Sequence, residues 1–315
     1  MTEREQITEE VRRQIIQEEK GMRKQLCIEK KREVLSLITN ITFSNVSCWY
    51  DASRRDLKMD LIVPKNRAAH PSCPAIVWIC GGAYRVVNRS VWLPEMLRFA
   101  RAGYVVASIE YRTSNEAVFP AQLVDVKSAV RFLRAHAKEF CVDPDRIYAM
   151  GESVGGTMAS LLGVTGDHKE FDQGDHLDQS SAVQGVVDYY GVVDLSDASA
   201  ERDRMSAAVN QSNDVPYFSF EEFLGVGYGK AEAEKASAVR YISEKTPPFM
   251  ILHGTEDTVV PMAQSEALHA ALQEKGVSCD FLVIEGAAHG DDLFYQDEVN
   301  DAVLQFLNSI PEGKE

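Results

Sequence analysis

The chain has 315 residues, 45% of them hydrophobic and 26% charged, which is enough apolar material to fill a sizeable core. Its 48 acidic side chains against 33 basic ones give a formal charge of −15, which argues against nucleic acid or an anionic membrane as partner. The opening Met1-Thr2-Glu3-Arg4-Glu5-Gln6 has no apolar h-region and no small-residue cleavage site, and no apolar run reaches roughly 18 residues. A cytoplasmic protein is expected, although a chain already stripped of a signal peptide would read the same.

Residues 1–36 read as a charged helical arm. Its apolar residues Ile7, Val11, Ile15, Met22 and Leu26 follow one another at steps of 4, 4, 7 and 4, a narrow stripe on one helical face interrupted near Gly21. Such an arm either packs on the main domain or serves as a homodimer contact or a lid. The domain proper is expected over 37–312. Residues 41–46 and 57–63 alternate apolar and polar, as half-exposed antiparallel strands do, and Pro64 ends the second. Residues 75–80 are continuously apolar, the mark of a strand covered on both faces, and 104–109 read as the next buried strand. Helices are expected over 91–101, closed by Gly103, and over 120–140, with Val124, Val126, Val130 and Leu133 inward.

Asp143-Pro144-Asp145 then turns the chain into an apolar strand, 146–150, that delivers Gly151-Glu152-Ser153-Val154-Gly155-Gly156, and a helical stretch follows at once. Strand, G-x-S-x-G, helix is the setting of a nucleophile elbow: the serine sits on a strained turn, and side chains two residues either side would strike neighbouring backbone. Residues 167–181 are polar and acidic. Without the glycine and spacing of an EF-hand they read as a solvated loop rather than a calcium site. After a strand at 183–190, residues 196–247 lose the strand–helix rhythm and carry Tyr217, Phe218, Phe220, Phe223 and Tyr228. This insertion is either a packed excursion or a cap over the site. Strand 248–253, helix 265–275, strand 280–284 and helix 293–307 complete the chain. Alternating strands and helices predict a mostly parallel central sheet with helices on both faces. The six cysteines show no metal-site spacing and are expected to be buried free thiols, and neither metal nor organic cofactor is expected.

A serine hydroxyl needs a base to take its proton. Of the seven histidines, His289 lies in Gly286-Ala287-Ala288-His289-Gly290 just beyond the last strand, where open α/β sheets bind ligands. The base needs a carboxylate to fix its tautomer. Asp257, in the loop His253-Gly254-Thr255-Glu256-Asp257, is expected to supply it, with Glu256 the rival. The oxyanion of a tetrahedral intermediate needs donors, and the backbone N–H groups of Gly82, Ala83 and Val154 are the candidates. Cys80 has no evident base and is expected to be a buried thiol.

The order Ser153, Asp257, His289 resembles that of the α/β-hydrolase superfamily. The branch indicated is that of hormone-sensitive-lipase-like esterases and BD-FAE-type feruloyl and acetyl carbohydrate esterases. The likeness runs over roughly residues 40 to 310 and rests on Gly81-Gly82, Tyr111-Arg112, Phe119-Pro120-Ala121, Asp143-Pro144-Asp145-Arg146-Ile147, the elbow, Val187-Asp188-Tyr189-Tyr190-Gly191 and the His253-Gly254 loop. Two departures stand out: Cys80-Gly81-Gly82-Ala83-Tyr84 replaces the family's H-G-G-G-W, and Glu152 stands where His or Asp is usual.

The resemblance implies an α/β-hydrolase fold and a serine carboxylesterase acting through an acyl-enzyme on small esters, such as acetyl or feruloyl groups of plant-derived carbohydrates. Tyr84, Trp92, Tyr217 and Phe218 are candidates for the substrate pocket and equally for the core. The rival readings are an amidase, formamidase or peptidase on the same three residues, and a catalytically silent binding protein.

Overall fold

The structure, a computed structural model, describes residues 25–49, 51–196, 205, 207–209, 211 and 219–311. Contacts within the chain divide it between Glu33 and Val34. The helical arm expected over 1–36 falls largely outside the described residues. Of its described part, residues 25–33 carry neither helix nor strand, and Leu35 already opens the first strand. Tyr217 and Phe218 also lie outside the described residues.

Eight strands form one sheet: β1 (Leu35–Cys48), β2 (Ser53–Pro64), β3 (Cys73–Ile79), β4 (Val105–Ile109), β5 (Val142–Glu152), β6 (Gly185–Tyr189), β7 (Phe249–Gly254) and β8 (Cys279–Ile284). Their spatial order is β1-β2-β4-β3-β5-β6-β7-β8. β2 pairs antiparallel with β1 and with β4, and every other pair is parallel. Among the described residues the principal helices are α1 (Leu93–Arg101), α2 (Ala121–Ala135), α3 (Val154–Val164), α4 (Ala263–Glu274) and α5 (Asp297–Ser309).

The period of two along each strand divides the core between the two faces. Ala75, Val77 and Ile79 of β3 join one cluster with Leu123, Val126 and Val130 of α2, Met158 and Leu162 of α3, and Leu268 and Leu272 of α4. Ile76 and Trp78 of the same strand join the other, with Met96 and Phe99 of α1 and Val303 and Phe306 of α5. With helices on both faces, β3 and β4 have no solvated side, and apart from Ser108 every residue of β4 is apolar.

The helix expected over 120–140 is divided. α2 ends at Ala135, and a separate short turn, Ala137–Phe140, closes on Cys141 in a left-handed conformation. The loop 167–181 is anchored rather than merely solvated. Asp172 pairs with Arg131 at 3.0 Å and Lys127 at 3.5 Å, both side chains fully buried on α2. The described part of the insertion contributes Phe220, Phe223, Leu224, Ala233 and Ala238 to the first core cluster. Four cysteines are buried, Cys279 is half-buried and Cys27 exposed, and all six are free thiols. Among the described residues no helix is long and apolar enough to cross a membrane.

Candidate active site

The carboxyl ends of β3, β5, β7 and β8 converge, and each launches one part of the site. β5 ends at Glu152, so Ser153 stands between strand and helix α3 with φ 56° and ψ −121°. This is a costly conformation for a residue with a Cβ, persisting only where the surroundings enforce it. They do so by contact. A Cβ on Gly155 would lie 1.8 Å from the Ile79 carbonyl oxygen, and one on Gly151 would lie 2.4 Å from that of Gly155. The Ser153 N–H donates to the Tyr189 carbonyl at 2.9 Å. The two glycines let α3 start against the end of β3, and the serine takes up the turn.

His289 Nε2 lies 3.0 Å from Ser153 Oγ, and its Nδ1 lies 2.7 Å from Asp257 Oδ2. A carboxylate only accepts, so Nδ1 carries the proton and Nε2 is left to accept from the serine. Asp257 is fully buried, and its other oxygen accepts the N–H groups of Val259 and Val260, each at 2.8 Å. The structure thus brings together Ser153, His289 and Asp257, while Glu256 is exposed. His253 braces the same loop from below. Its Nε2 donates to the Val260 carbonyl at 2.9 Å and its Nδ1 accepts from the Ser265 hydroxyl at 2.7 Å. Burial lowers its pKa and favours the neutral ring.

Gly82, Ala83 and Val154 line the cavity beside Ser153. In the loop after β3, φ is positive at three successive residues: 130° at Gly82, 50° at Ala83 and 59° at Tyr84. The Tyr111 hydroxyl donates to the Cys80 carbonyl at 2.7 Å, and the Gly81 N–H donates to Glu152 Oε1 at 2.5 Å. Burial pushes the Cys80 thiol up to about 12, so it is no nucleophile near neutral pH. Burial also pushes the Glu152 carboxyl up to about 7, against the opposing pull of the Gly81 N–H.

The cavity of about 280 Å³ over Ser153 has a mainly apolar wall of Tyr84, Val154, Val192, Phe220, Val259 and Val260, with Met205 and Val209 beyond. Tyr84 is one of the four aromatic candidates and lines it, stacked on Phe223 with ring centroids 3.9 Å apart. Trp92 is not among the lining residues. It stacks on Tyr295 at 4.4 Å and donates its indole N–H to Glu152 Oε1 at 3.2 Å. Val192, Val259 and Val260 were not legible as wall, because a valine beside a strand end reads as core until the loop's path is known. Glu152 did carry a signal, an acidic residue inside an otherwise apolar elbow.

The BD-FAE family model matches residues 59–272. Esterase LipQ of Mycobacterium tuberculosis is 30% identical over 266 residues, covering 83% of this chain and 61% of LipQ. The probable isoprenylcysteine alpha-carbonyl methylesterase ICMEL1 of Arabidopsis thaliana is 27% identical over 269 residues, covering 80% of this chain and 52% of ICMEL1. The chain therefore spans less than two thirds of these curated relatives. A solved structure described as a truncated form of a carbohydrate esterase from gut microbiota matches with a TM-score of 0.71 at 25% identity, covering 89% of this chain and 97% of that one.

Proposed function

This chain belongs to the BD-FAE family, and on that premise we propose that it is a carboxylic ester hydrolase of the α/β-hydrolase fold that works through Ser153, His289 and Asp257. The observation that carries the reading is the unbroken path from Asp257 Oδ2 through the His289 ring to Ser153 Oγ, with hydrogen-bond lengths of 2.7 and 3.0 Å. Ser153 Oγ attacks the ester carbonyl while His289 Nε2 takes its proton, and the buried Asp257 faces the resulting imidazolium. The N–H groups of Gly82, Ala83 and Val154 meet the oxyanion. Collapse of the intermediate expels the alcohol, which leaves with the proton from His289. Water, deprotonated by the same ring, then attacks the acyl-enzyme and releases the acid and the serine.

The apolar wall of the cavity supports an uncharged acyl group, such as the acetyl or feruloyl esters of plant-derived carbohydrates. The six free thiols support a reducing, cytoplasmic setting. The test is hydrolysis of p-nitrophenyl acetate by wild type and Ser153→Ala. Wild type is expected to exceed the variant by about 10⁴-fold or more in kcat/KM. Equal rates from the two proteins would sink the reading. Acetylated xylose, methyl ferulate and an N-formyl amide, assayed alongside, separate sugar ester, cinnamoyl ester and amide.

A further inference from the structure

We propose that Glu152 is the positioning residue that holds the loop Cys80-Gly81-Gly82-Ala83-Tyr84 in register with Ser153. The inference rests on the esterase reading and deepens it. Positive φ at Ala83 and Tyr84 is unfavourable for residues with a Cβ, so the loop needs external restraint to keep one shape. At its first residue the ties lead away from Ser153: Cys80 Sγ makes a long contact with Ser108 Oγ at 3.9 Å, and the Cys80 carbonyl accepts from the Tyr111 hydroxyl at 2.7 Å. The restraint on Gly81 is the Glu152 carboxylate at 2.5 Å.

Glu152 is covalently next to Ser153, so this one hydrogen bond ties the oxyanion loop to the nucleophile's own backbone. The tie is clamped on its far side by Trp92, which shares the same oxygen and is held by its stack on Tyr295. Glycine at 81 gives the contact its room, since a Cβ there would lie 2.6 Å from Glu152 Oε2 and 2.8 Å from the Glu152 backbone carbonyl oxygen. A buried carboxylate is an expensive anchor, and the structure places it where a loop N–H and an indole N–H both need an acceptor. Burial raises its pKa, and the loop's N–H favours the charged form that accepts it.

The test takes the full chain and its Glu152→Gln, Glu152→Asp and Glu152→Ala variants. Each is assayed for kcat and KM on p-nitrophenyl acetate and for inhibition by a trifluoromethyl ketone, whose hemiketal oxyanion requires the same donors. Thermal unfolding confirms that each variant is folded. Glu152→Ala is expected to lose about a hundredfold in kcat with KM within about threefold, and to bind the ketone correspondingly less well. Glu152→Gln keeps a carbonyl acceptor for Gly81 and is expected within about tenfold of wild type. Glu152→Asp keeps the charge but not the reach, and is expected to resemble Glu152→Ala.

A folded Glu152→Ala enzyme with wild-type kcat overturns the proposal, as does a loss confined to KM. An impaired Gln variant beside a well-performing Asp variant also overturns it, because charge rather than the Gly81 bond would then matter. If Glu152→Ala does not fold, the Gln and Asp pair decides alone. Ser153→Ala run in parallel separates the two readings: wild type no faster than Ser153→Ala removes the esterase reading and this inference with it, whereas wild type matched by Glu152→Ala removes only the latter.

Discussion

Two of the regions in which this molecule buries charge treat it differently. Between α2 and the loop 167–181, Arg131 and Lys127 surround Asp172 with spare partners. The Ser181 hydroxyl donates to Asp172 at 2.6 Å, the Lys127 ammonium to the Thr165 carbonyl at 2.5 Å, and the Arg131 guanidinium to the Asp175 carbonyl at 3.1 Å. Burial would raise the Asp172 pKa, but the Ser181 hydroxyl and the Lys127 and Lys169 ammonium groups outweigh it and hold the carboxyl below its usual range. At the carboxyl edge of the sheet the histidine has fewer partners, each on its own nitrogen. His289 has Asp257 on one nitrogen and Ser153 on the other. Redundancy makes a cluster that holds the fold, and its absence leaves a group such as the Ser153 hydroxyl open to a substrate.

The comparison breaks if the two regions respond alike to losing a carboxylate. Asp257→Asn keeps an oxygen for the Val259 and Val260 N–H groups but presents His289 Nδ1 with a donor or a weaker acceptor. A loss of about 10⁴-fold in kcat is expected with thermal stability little changed. Steady-state kinetics beside a melting curve checks both halves, and a wild-type kcat would remove Asp257 from the site. Asp172→Ala, by contrast, strands two buried cations. Urea unfolding is expected to show a loss of about 3–5 kcal/mol, with activity per folded molecule retained. A drop in kcat without a drop in stability would erase the distinction.

Glu152 sharpens the comparison because it belongs to the working edge yet carries a stability cost. Its folded pKa of about 7 lies above the ordinary value of 4.5, so its contribution is fully present below 4.5 and is lost as pH rises through 7. Glu152→Gln removes that dependence. It is expected to gain roughly 3 kcal/mol over wild type at pH 8 and under about 1 kcal/mol at pH 5. Denaturant midpoints at the two pH values measure it, and an equal gain at both would show that the carboxyl does not titrate across this range.

Much of the fold, and the meeting of Ser153, Asp257 and His289 at one edge of the sheet, were legible because local rules and global topology agree there. Gly151 and Gly155 are demanded by contacts with backbone, and His289 and Asp257 follow strand ends whose apolar runs announce them. Legibility failed where a side chain's partner is remote in sequence. Nothing in the sequence marks Lys127 and Arg131 of α2 as buried, and the Asp172 carboxylate that pairs with both lies more than forty residues away. For Trp92 the sequence left pocket and core equally open, and the structure packs its ring on Tyr295 and gives its N–H to Glu152. The ends of β1 were also hidden. Its pairing with β2 continues through two register shifts, at Ile38/Ile41 and Thr42/Ser44, and the strand runs six residues ahead of the alternation seen over 41–46.

The seating of Gly155 on the Ile79 carbonyl has a consequence for any attempt to change what the protein acts on. Because the first turn of α3 rests directly on the end of β3, Ser153 and the loop above it share a rigid floor without slack for redesign. The walls differ: Val192, Val259 and Phe220 come from three separate segments. Altered selectivity should therefore be sought by exchanging wall side chains one segment at a time. Libraries that randomise positions 151 to 156 should return almost wholly inactive protein.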